Sequence, residues 1–391
     1  MSTHASPASA GAFQLTADQC EIRDMARTFA AERLAPNAIE WDSTKHFPAD
    51  VLREAAELGL GGIYVSEDHG GSGLSRLDAA LIFDALAEGC PTVAAYISIH
   101  NMVAWMVDRY GSDEQRATWL PRLCSMEIFG AYCLSEPGSG SDAAALETRA
   151  QLDGDDYVVH GVKQFISAAG VAGLYIVMVR TGEPGPRGIT ALLVDGSTEG
   201  LGFGRPEDKM GWNAQPTRPV MLDGARVPVG NRLGEEGSGF KIALAGLDGG
   251  RVNIGACSLG GAQAAFDKSL RYTAEREAFG APLAALQTVQ FQLADMATEL
   301  EAARCLLWRA ASALDAGEAS ATQLCAMAKR FATDAGLAVA DRALQLHGGY
   351  GYLAEYGLEK IVRDLRVHQI VEGTNEVMRL IIARGVVGAG R

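Results

Sequence analysis

The chain has 391 residues, 48% of them hydrophobic, and a formal net charge of −14 at pH 7. That length and composition predict a globular protein of two or three structural units, while the acidic balance argues against a nucleic-acid partner, which would need clustered Lys and Arg. The seven cysteines are scattered without a C-x-x-C pair, and no apolar run reaches about 18 residues. We therefore expect no disulfide framework, no metal site, no membrane span and a cytoplasmic location.

The first third of the chain is predicted to be helical after a short tail. Residues 1–14 are mostly small or polar, and the capping-box pair Thr16 and Gln19 marks the start of a helix that continues until Pro36 interrupts it. Helical spacing recurs up to the end of this part of the chain. We therefore predict a disordered tail at 1–14 and an N-terminal helical domain at 15–128.

Short β-rich runs, separated by Gly, Pro and Asp turns, replace the helical pattern in the next hundred residues. The clearest of these runs are Tyr157–His160, Tyr175–Val179 and Ile189–Val194. The stretch 129–237 is therefore predicted to form a middle β domain inserted between helical ones.

Helical periodicity returns after Gly237 and predicts a C-terminal helical domain at 238–391. A stripe of apolar residues shares one helix face there, and it comprises Val289, Leu293, Met296, Leu300 and Leu307. We interpret this stripe as core packing in a helical bundle and as subunit contacts, not as a ligand site. The predicted fold class is α+β, mainly α.

Small residues and hydroxyls are concentrated in the segment YCLSEPGSGSD, Tyr132 to Asp142. Gly138 and Gly140 would let the backbone approach a ligand closely, and the serines and free N–H groups would donate to a carbonyl-rich or anionic partner. A plain surface turn is the alternative. Loose G-x-G-x-x-A matches begin at Gly138 and Gly349, but neither has the strand-then-helix context of a Rossmann site, so no nicotinamide cofactor is expected.

Four further motifs follow this loop in the order KQFIS, EREAFG, HGGYGY and QIVEGTNEVMR, at Lys163–Ser167, Glu275–Gly280, His347–Tyr352 and Gln369–Arg379. The five motifs in this order resemble the acyl-CoA dehydrogenase family, and the resemblance extends from near Leu15 to Arg384. It implies an N-terminal helical domain, a middle β-sheet domain and a C-terminal four-helix bundle.

Dehydrogenation of an acyl thioester needs a base for the weakly acidic α-proton and an acceptor for the β-hydride, and the resemblance implies noncovalent FAD as that acceptor. The base is expected to be a carboxylate in an apolar pocket, where burial raises its proton affinity. The family's catalytic glutamate corresponds to Glu372, and Gly373 would leave room for thioester and flavin. Some relatives carry the base on a helix before an Arg, but here Gly250 precedes Arg251, so only Asp248 remains as a second candidate.

The resemblance implies a set of FAD contacts that spans the β domain and the C-terminal helices. The set comprises Tyr132, Cys133, Leu134, Ser135, Gly140, Ser141, Phe165, Ile166, Ser167, Arg276, Phe279, Gln287, Gln345, Gly348, Gly349, Thr374, Asn375 and Glu376. Phe165 stands where the family commonly has Trp, so flavin stacking is expected to differ there. Arg276 and Gln287 resemble a pair that reaches the FAD of a neighbouring subunit, which implies a homotetramer. A solvated helix-end charge is the alternative for Arg276.

The substrate-binding set implied by the resemblance is Ser141, Asp248, Gly249, Gly250, Arg251, Gly373 and Arg384. The strings KMGWNAQPTRPV and LDGGRVNIGACSLG, at Lys209–Val220 and Leu247–Gly260, are most similar to isobutyryl-CoA dehydrogenases of valine catabolism. They imply conversion of isobutyryl-CoA to methacrylyl-CoA, with electron-transfer flavoprotein as the electron acceptor. Tandem Gly249 and Gly250 would widen the pocket near Cα for a branched acyl chain.

Other functions remain open at this point. The enzyme could prefer another short acyl chain, such as 2-methylbutyryl-CoA or butyryl-CoA, or could pass electrons to oxygen as an oxidase. A protein that binds flavin or CoA as a scaffold, without dehydrogenation, is a further alternative, which the presence of Glu372 disfavours.

Overall fold

A computed structural model of the chain describes residues 14–388. The predicted disordered tail lies outside the described residues apart from Gln14. Helices precede and follow a single large β-sheet in the chain, so the α+β, mainly α class is confirmed. No helix in the described range is both long enough and apolar enough to cross a membrane.

Six α-helices lie in the described residues before the sheet. They are α1 Ala17–Phe29, α2 Ala38–Thr44, α3 Ala49–Glu57, α4 Arg76–Gly89, α5 Pro91–Tyr110 and α6 Asp113–Cys124. The capping box at the start of α1 is present, because the Thr16 hydroxyl accepts from the Gln19 N–H at 3.2 Å and the Gln19 side chain accepts from the Thr16 N–H at 3.1 Å. A π-turn extends α1 to Leu34, just before Pro36.

Eight strands form the central sheet. They are β1 Gly130–Cys133, β2 Arg149–Asp153, β3 Asp156–Ser167, β4 Leu174–Arg180, β5 Ile189–Asp195, β6 Leu201–Phe203, β7 Thr217–Pro228 and β8 Arg232–Leu233. The strand order is β6-β7-β3-β2-β4-β5-β8, and β1 pairs in parallel with β4. The three predicted β-rich runs lie in β3, β4 and β5, which confirms them.

Five α-helices and one small hairpin follow the sheet within residues 234–388. They are α7 Gly239–Glu275, the hairpin strands β9 Glu277–Ala278 and β10 Ala281–Pro282, α8 Gln287–Asp315, α9 Ala321–Leu346, α10 Leu358–Arg366 and α11 Asn375–Val387. Helix α7 packs against α9 on one side and against α4 and α5 on another. In the predicted stripe of α8, Met296, Leu300 and Leu307 are buried, which confirms its core role. The domain boundaries remain a prediction.

Candidate active site

Glu372 lies in a short loop between the 3₁₀ turn Val367–Gln369 and the start of α11. Its φ angle is 59°, and that of Gly373 is 89°, so two consecutive residues adopt the left-handed region. Glycine enters this region freely, but a glutamate does so at a cost of order 1 kcal/mol or more and needs support from its surroundings. The backbone at Glu372 is therefore held in an unfavourable conformation by its neighbours.

Two buried cations hold this loop through its carbonyl groups. Arg251 of α7 donates from Nε to the carbonyl oxygen of Glu372 at 3.2 Å. Lys329 of α9 donates from Nζ to the carbonyl oxygen of Gly373 at 2.8 Å and to Oδ1 of Asn375 at 2.9 Å. Both cations come from residues distant in the chain, so long-range contacts hold the loop of Glu372.

Glu372 is half-buried as a residue, but its Oε2 atom is shielded from solvent. This atom has no hydrogen-bond partner within residues 14–388, and a Cβ added at Gly250 would lie 2.4 Å from it. Burial raises the pKa of Glu372 to about 7, while the charges of Arg251 and Lys329 act in the opposite direction. A group with these properties can accept a proton near neutral pH.

Asp248, the second candidate base, is already engaged. Its Oδ1 atom accepts from Nη1 of Arg251 at 2.6 Å, and its Oδ2 atom accepts from the Thr322 hydroxyl at 2.6 Å. Because both carboxylate oxygens have strong donors, Asp248 is better placed to orient Arg251 than to take a proton from a substrate.

The tandem glycines of α7 make room for charged side chains. A Cβ at Gly249 would lie 2.5 Å from Nη1 of Arg76, just as one at Gly250 would meet Glu372. Arg76 is 9% exposed, and its guanidinium carbon lies 3.8 Å from the ring centroid of Tyr64 and 4.7 Å from that of Trp105. No sequence motif indicated Arg76 or Tyr64 as part of this site. The pocket-widening role of the glycine pair remains a prediction.

Tyr132, on β1, provides a second unsatisfied polar group beside Glu372. Its hydroxyl is buried without a hydrogen-bond partner in the described chain. Burial, with a further contribution from the charge of Glu372, raises the pKa of Tyr132 well above its usual value. Cys133 and Leu134, which follow it, are buried in the core, so only their backbone atoms are available to a ligand.

The Ser/Gly loop after Tyr132 is anchored at one end and open at the other. Glu136 accepts from Nζ of the fully buried Lys163 at 2.7 Å and from two backbone amides at 2.6 and 2.9 Å, which ties the loop to β3. A Cβ at Gly138 or Gly140 would meet no heavy atom of residues 14–388 within 4 Å. The outer surface of the loop is therefore accessible to a flat ligand. Sequence reasoning assigned no role to Glu136.

A β-bulge between Lys163 and Ile166 turns one aromatic side chain outward. Phe165 has a φ angle of 60° and is 67% exposed, whereas Ile166 is 3% exposed. The bulge thus presents Phe165 to a ligand and directs Ile166 into the core.

A separate pocket of about 390 Å³ lies at the C-terminal end of α9. Four of the predicted FAD residues, Arg276, Gln345, Gly348 and Gly349, line it together with six neighbours. Close to it, Phe279 is 95% exposed at the tip of the β9–β10 hairpin.

Several predicted site residues have other surroundings. The side chain of Asn375 forms hydrogen bonds with residues of α9. Thr374 caps α11 by accepting from the Val377 N–H, and Glu376 is exposed. Arg384 is exposed near the end of α11 and makes no hydrogen bond or ion pair within the described range. The structure therefore brings Tyr132, Gly250, Arg251, Glu372 and Gly373 together and leaves Arg384 without a visible link to them. Ser135, Ser141, Ser167 and Gln287 are half-buried or exposed.

This helix–sheet–helix fold, with a glutamate whose Oε2 atom is buried near α7, α9 and β1, is that of an oxidoreductase acting on acyl-CoA. The chain belongs to the acyl-CoA dehydrogenase family. The family's N-terminal, middle and C-terminal domains match residues 16–127, 131–225 and 237–387.

The most similar relatives include two isobutyryl-CoA dehydrogenases described as mitochondrial. That of Dictyostelium discoideum is 55% identical and that of Bos taurus 53% identical, each over 95% of this chain and 89% of the relative. Among solved structures, a glutaryl-CoA dehydrogenase from Mycobacterium smegmatis in complex with FADH2 has a TM-score of 0.91 at 29% identity, over 96% of this chain and 95% of that chain.

Proposed function

We propose that this enzyme removes hydrogen from Cα and Cβ of a short branched acyl-CoA, isobutyryl-CoA, and forms methacrylyl-CoA. The observation that carries the proposal is the Glu372 carboxylate, whose buried Oε2 atom lacks a hydrogen-bond partner among the described residues and faces Gly250. The two isobutyryl-CoA dehydrogenases that are 53% and 55% identical support the choice of acyl chain.

In this proposal the protein supplies the base and the orientation of the substrate. Glu372 takes the α-proton, and the electron pair of the α C–H bond forms the Cα–Cβ double bond as Cβ loses a hydride. FAD, when bound, supplies the acceptor for that hydride. Arg251 and Lys329 keep the loop of Glu372 in place, and burial keeps the carboxylate poorly solvated and therefore basic.

The residues present fit a flavin. The open surface above Gly138 and Gly140 suits a flat ring system, and the outward Phe165 is an exposed aromatic side chain that a ring would cover. The pocket beside Arg276 offers a guanidinium suited to a diphosphate. We therefore assign FAD contacts to the predicted set, with Cys133, Leu134, Ile166 and Asn375, whose side chains are buried, contributing backbone atoms only.

Assembly and electron transfer belong to the same proposal. The 95% exposed Phe279 lies between Arg276 and Gln287 in the chain, and such a side chain is best accommodated if a second copy covers it. We infer a homotetramer in which Arg276 and Gln287 complete the FAD site of a neighbour. Electron-transfer flavoprotein as the acceptor, and a cytoplasmic location, remain proposals that follow from the family and from the sequence.

An anaerobic titration with isobutyryl-CoA tests the proposed function directly. The purified protein should be yellow, should release FAD on denaturation, and its flavin absorbance should bleach on addition of the substrate. Parallel titrations with 2-methylbutyryl-CoA and butyryl-CoA rank the acyl chains. A protein that cannot be loaded with FAD, or that bleaches with none of the three thioesters, would exclude dehydrogenation. Rapid reoxidation of the reduced flavin in air would indicate an oxidase instead.

The variant Glu372→Gln isolates proton abstraction from binding. It preserves the shape of the side chain but removes its basicity, so FAD content and acyl-CoA affinity should persist while flavin reduction slows by about 10²–10⁴-fold or more. Asp248→Asn is the matched control, because Asp248 is tied to Arg251 and Thr322, and its effect should be much smaller. If the flavin of Glu372→Gln were reduced at nearly the wild-type rate, Glu372 would not be the base, and Asp248 would be the next candidate.

A further inference from the structure

Lys329 is a buried lysine whose side-chain hydrogen bonds all go to the segment that follows the proposed base, Glu372. It lies in the middle of α9 and is 0% exposed. Its ammonium group donates to the carbonyl oxygen of Gly373 at 2.8 Å and to Oδ1 of Asn375 at 2.9 Å. Burying a lysine is costly unless it is paired and hydrogen-bonded. The contact of Lys329 with the carbonyl of the residue that follows Glu372 suggests that its burial serves the loop of the base.

Helix α9 clamps both ends of the Glu372 loop through neighbouring side chains. Asp334 accepts from Nε2 of Gln369, before the loop, at 2.9 Å and from Nδ2 of Asn375, after it, at 2.7 Å. Lys329 adds the contact in the middle, at the Gly373 carbonyl. Because Glu372 and Gly373 both have positive φ angles, loss of the central contact would let the strained backbone relax.

The charge of Lys329 also acts on the base itself. The ionised groups that influence the Lys329 ammonium are Glu372, Arg251, Asp334 and Glu376. Burial lowers the pKa of Lys329 to about 8, and the charge of Glu372 opposes that change. Near neutral pH the ammonium therefore carries its proton and stabilises the ionised form of Glu372.

The titratable groups that face Glu372 come from α7, α9, β1 and the segment before α4, where the buried Tyr64 lies. Arg251 of α7 and Lys329 of α9 are the two cations that lower its pKa, and the neutral Tyr132 hydroxyl of β1 lies beside it. Arg251 is partly neutralised by its 2.6 Å ion pair with Asp248. Lys329 donates to the Gly373 carbonyl and to the Asn375 amide oxygen and makes no ion pair within 4 Å in the part of the chain that the structure describes, so its charge is less neutralised than that of Arg251.

We propose that Lys329 is a positioning residue of the dehydrogenation, which fixes the peptide after the base and sets the basicity of Glu372 through its charge. The proposal rests on the proposed function, because it gives Glu372 the role of base. It assigns Lys329 no contact with substrate or flavin. Its effect is expected in the pH dependence of flavin reduction more than in the affinity for acyl-CoA.

The test compares Lys329→Met and Lys329→Arg with the wild type in anaerobic stopped-flow reduction by isobutyryl-CoA across pH. The rate of flavin reduction should fall at low pH as Glu372 becomes protonated, and this part of the pH–rate profile is its acid limb. Removing a nearby cation raises the pKa of a carboxyl group, so the acid limb of Lys329→Met should move about one pH unit upward. On that limb the rate should fall about tenfold at a fixed pH. Lys329→Arg retains the charge and should restore most of the limb position, and the acyl-CoA dissociation constant should change little in both.

Lys360→Met is the matched control for loss of a buried lysine. Lys360 is 4% exposed and pairs with Asp364 at 2.6 Å. Its removal should lower thermal stability but leave the acid limb in place. If the limb of Lys329→Met also stays in place, whether or not its plateau rate falls, Lys329 is only a structural residue and the proposal is overturned.

A readout without turnover separates this proposal from the proposed function. Infrared difference titration follows the carboxyl band of Glu372, identified by its absence in Glu372→Gln, and Lys329→Gln should shift its midpoint upward. Lys329→Gln retains one N–H donor for the Gly373 carbonyl, so it can replace Lys329→Met in these experiments if Lys329→Met does not fold. An unshifted midpoint refutes the role of Lys329. A shifted midpoint in a protein whose flavin no acyl-CoA bleaches refutes the proposed function instead.

Discussion

Gly250→Ala should disable the enzyme by displacing its base while leaving the fold intact. The added Cβ would lie 2.4 Å from Oε2, 2.8 Å from Cδ and 3.0 Å from Oε1 of Glu372. Restoring an ordinary contact of about 3.4 Å requires the carboxylate to move by about 1 Å, and a misplacement of that size at a reacting group can cost about 10²-fold in rate. Alanine is also favoured over glycine inside a helix by about 1 kcal/mol, so α7 itself should not be weakened.

The assay is anaerobic flavin reduction by isobutyryl-CoA, with FAD content and melting temperature measured in parallel. Gly255→Ala is the control on the same helix, because the nearest atoms to its added Cβ are a Leu307 methyl at 2.7 Å, the Cβ of Ala332 at 3.6 Å and the Cα of Lys329 at 3.8 Å, and none of them belongs to Glu372. We expect Gly250→Ala to slow reduction by about 10²-fold and Gly255→Ala to have little effect. Equal rates for Gly250→Ala and the wild type would refute the inferred position of the carboxylate.

Two further predictions concern stability and assembly. The pKa of Glu372 is raised to about 7 from a model-peptide value of 4.5, so the folded state binds the extra proton between these pH values and loses stability as the pH rises through that window. Glu372→Gln should therefore be more stable than the wild type at pH 8 by about 3 kcal/mol and should lose this advantage near pH 4, as measured by chemical unfolding; an advantage that does not vary with pH would contradict the buried-carboxylate reasoning. Arg276→Ala should weaken both FAD retention and tetramer formation, which size-exclusion chromatography with light scattering detects. A fully active wild-type monomer would contradict the shared FAD site.

The parts of the fold that the sequence predicted are those with local causes. The capping box of α1 involves residues three apart, and the runs in β3, β4 and β5 follow the local β preference of their own residues. The stripe of α8 reflects helical periodicity, and its members Met296, Leu300 and Leu307 are buried. Each pattern can be read within one element.

The parts that the sequence did not predict depend on contacts between distant residues. Nothing in the string LDGG indicates that Arg76 and Glu372 occupy the space beside the two glycines, because those side chains are about 170 and 120 residues away in the chain. Lys329 likewise looks like an ordinary residue of an apolar helix. Its relation to Gly373 appears only when α9 packs on the loop.

The basicity of Glu372 results from a balance that explains why these distant residues matter. Complete burial without countercharge would raise the pKa of a carboxyl group by up to 3–5 units and leave it protonated at neutral pH, whereas full ion pairing would lower the pKa and make it a weak base. Here Arg251 and Lys329 bind the carbonyl oxygens of the loop and not the carboxylate oxygens. They therefore act on the carboxylate through space, without donating to it, and leave Oε2 free of hydrogen bonds from the described chain. This arrangement keeps the pKa near 7, so that the base is ionised before the reaction and still able to hold the proton that it takes.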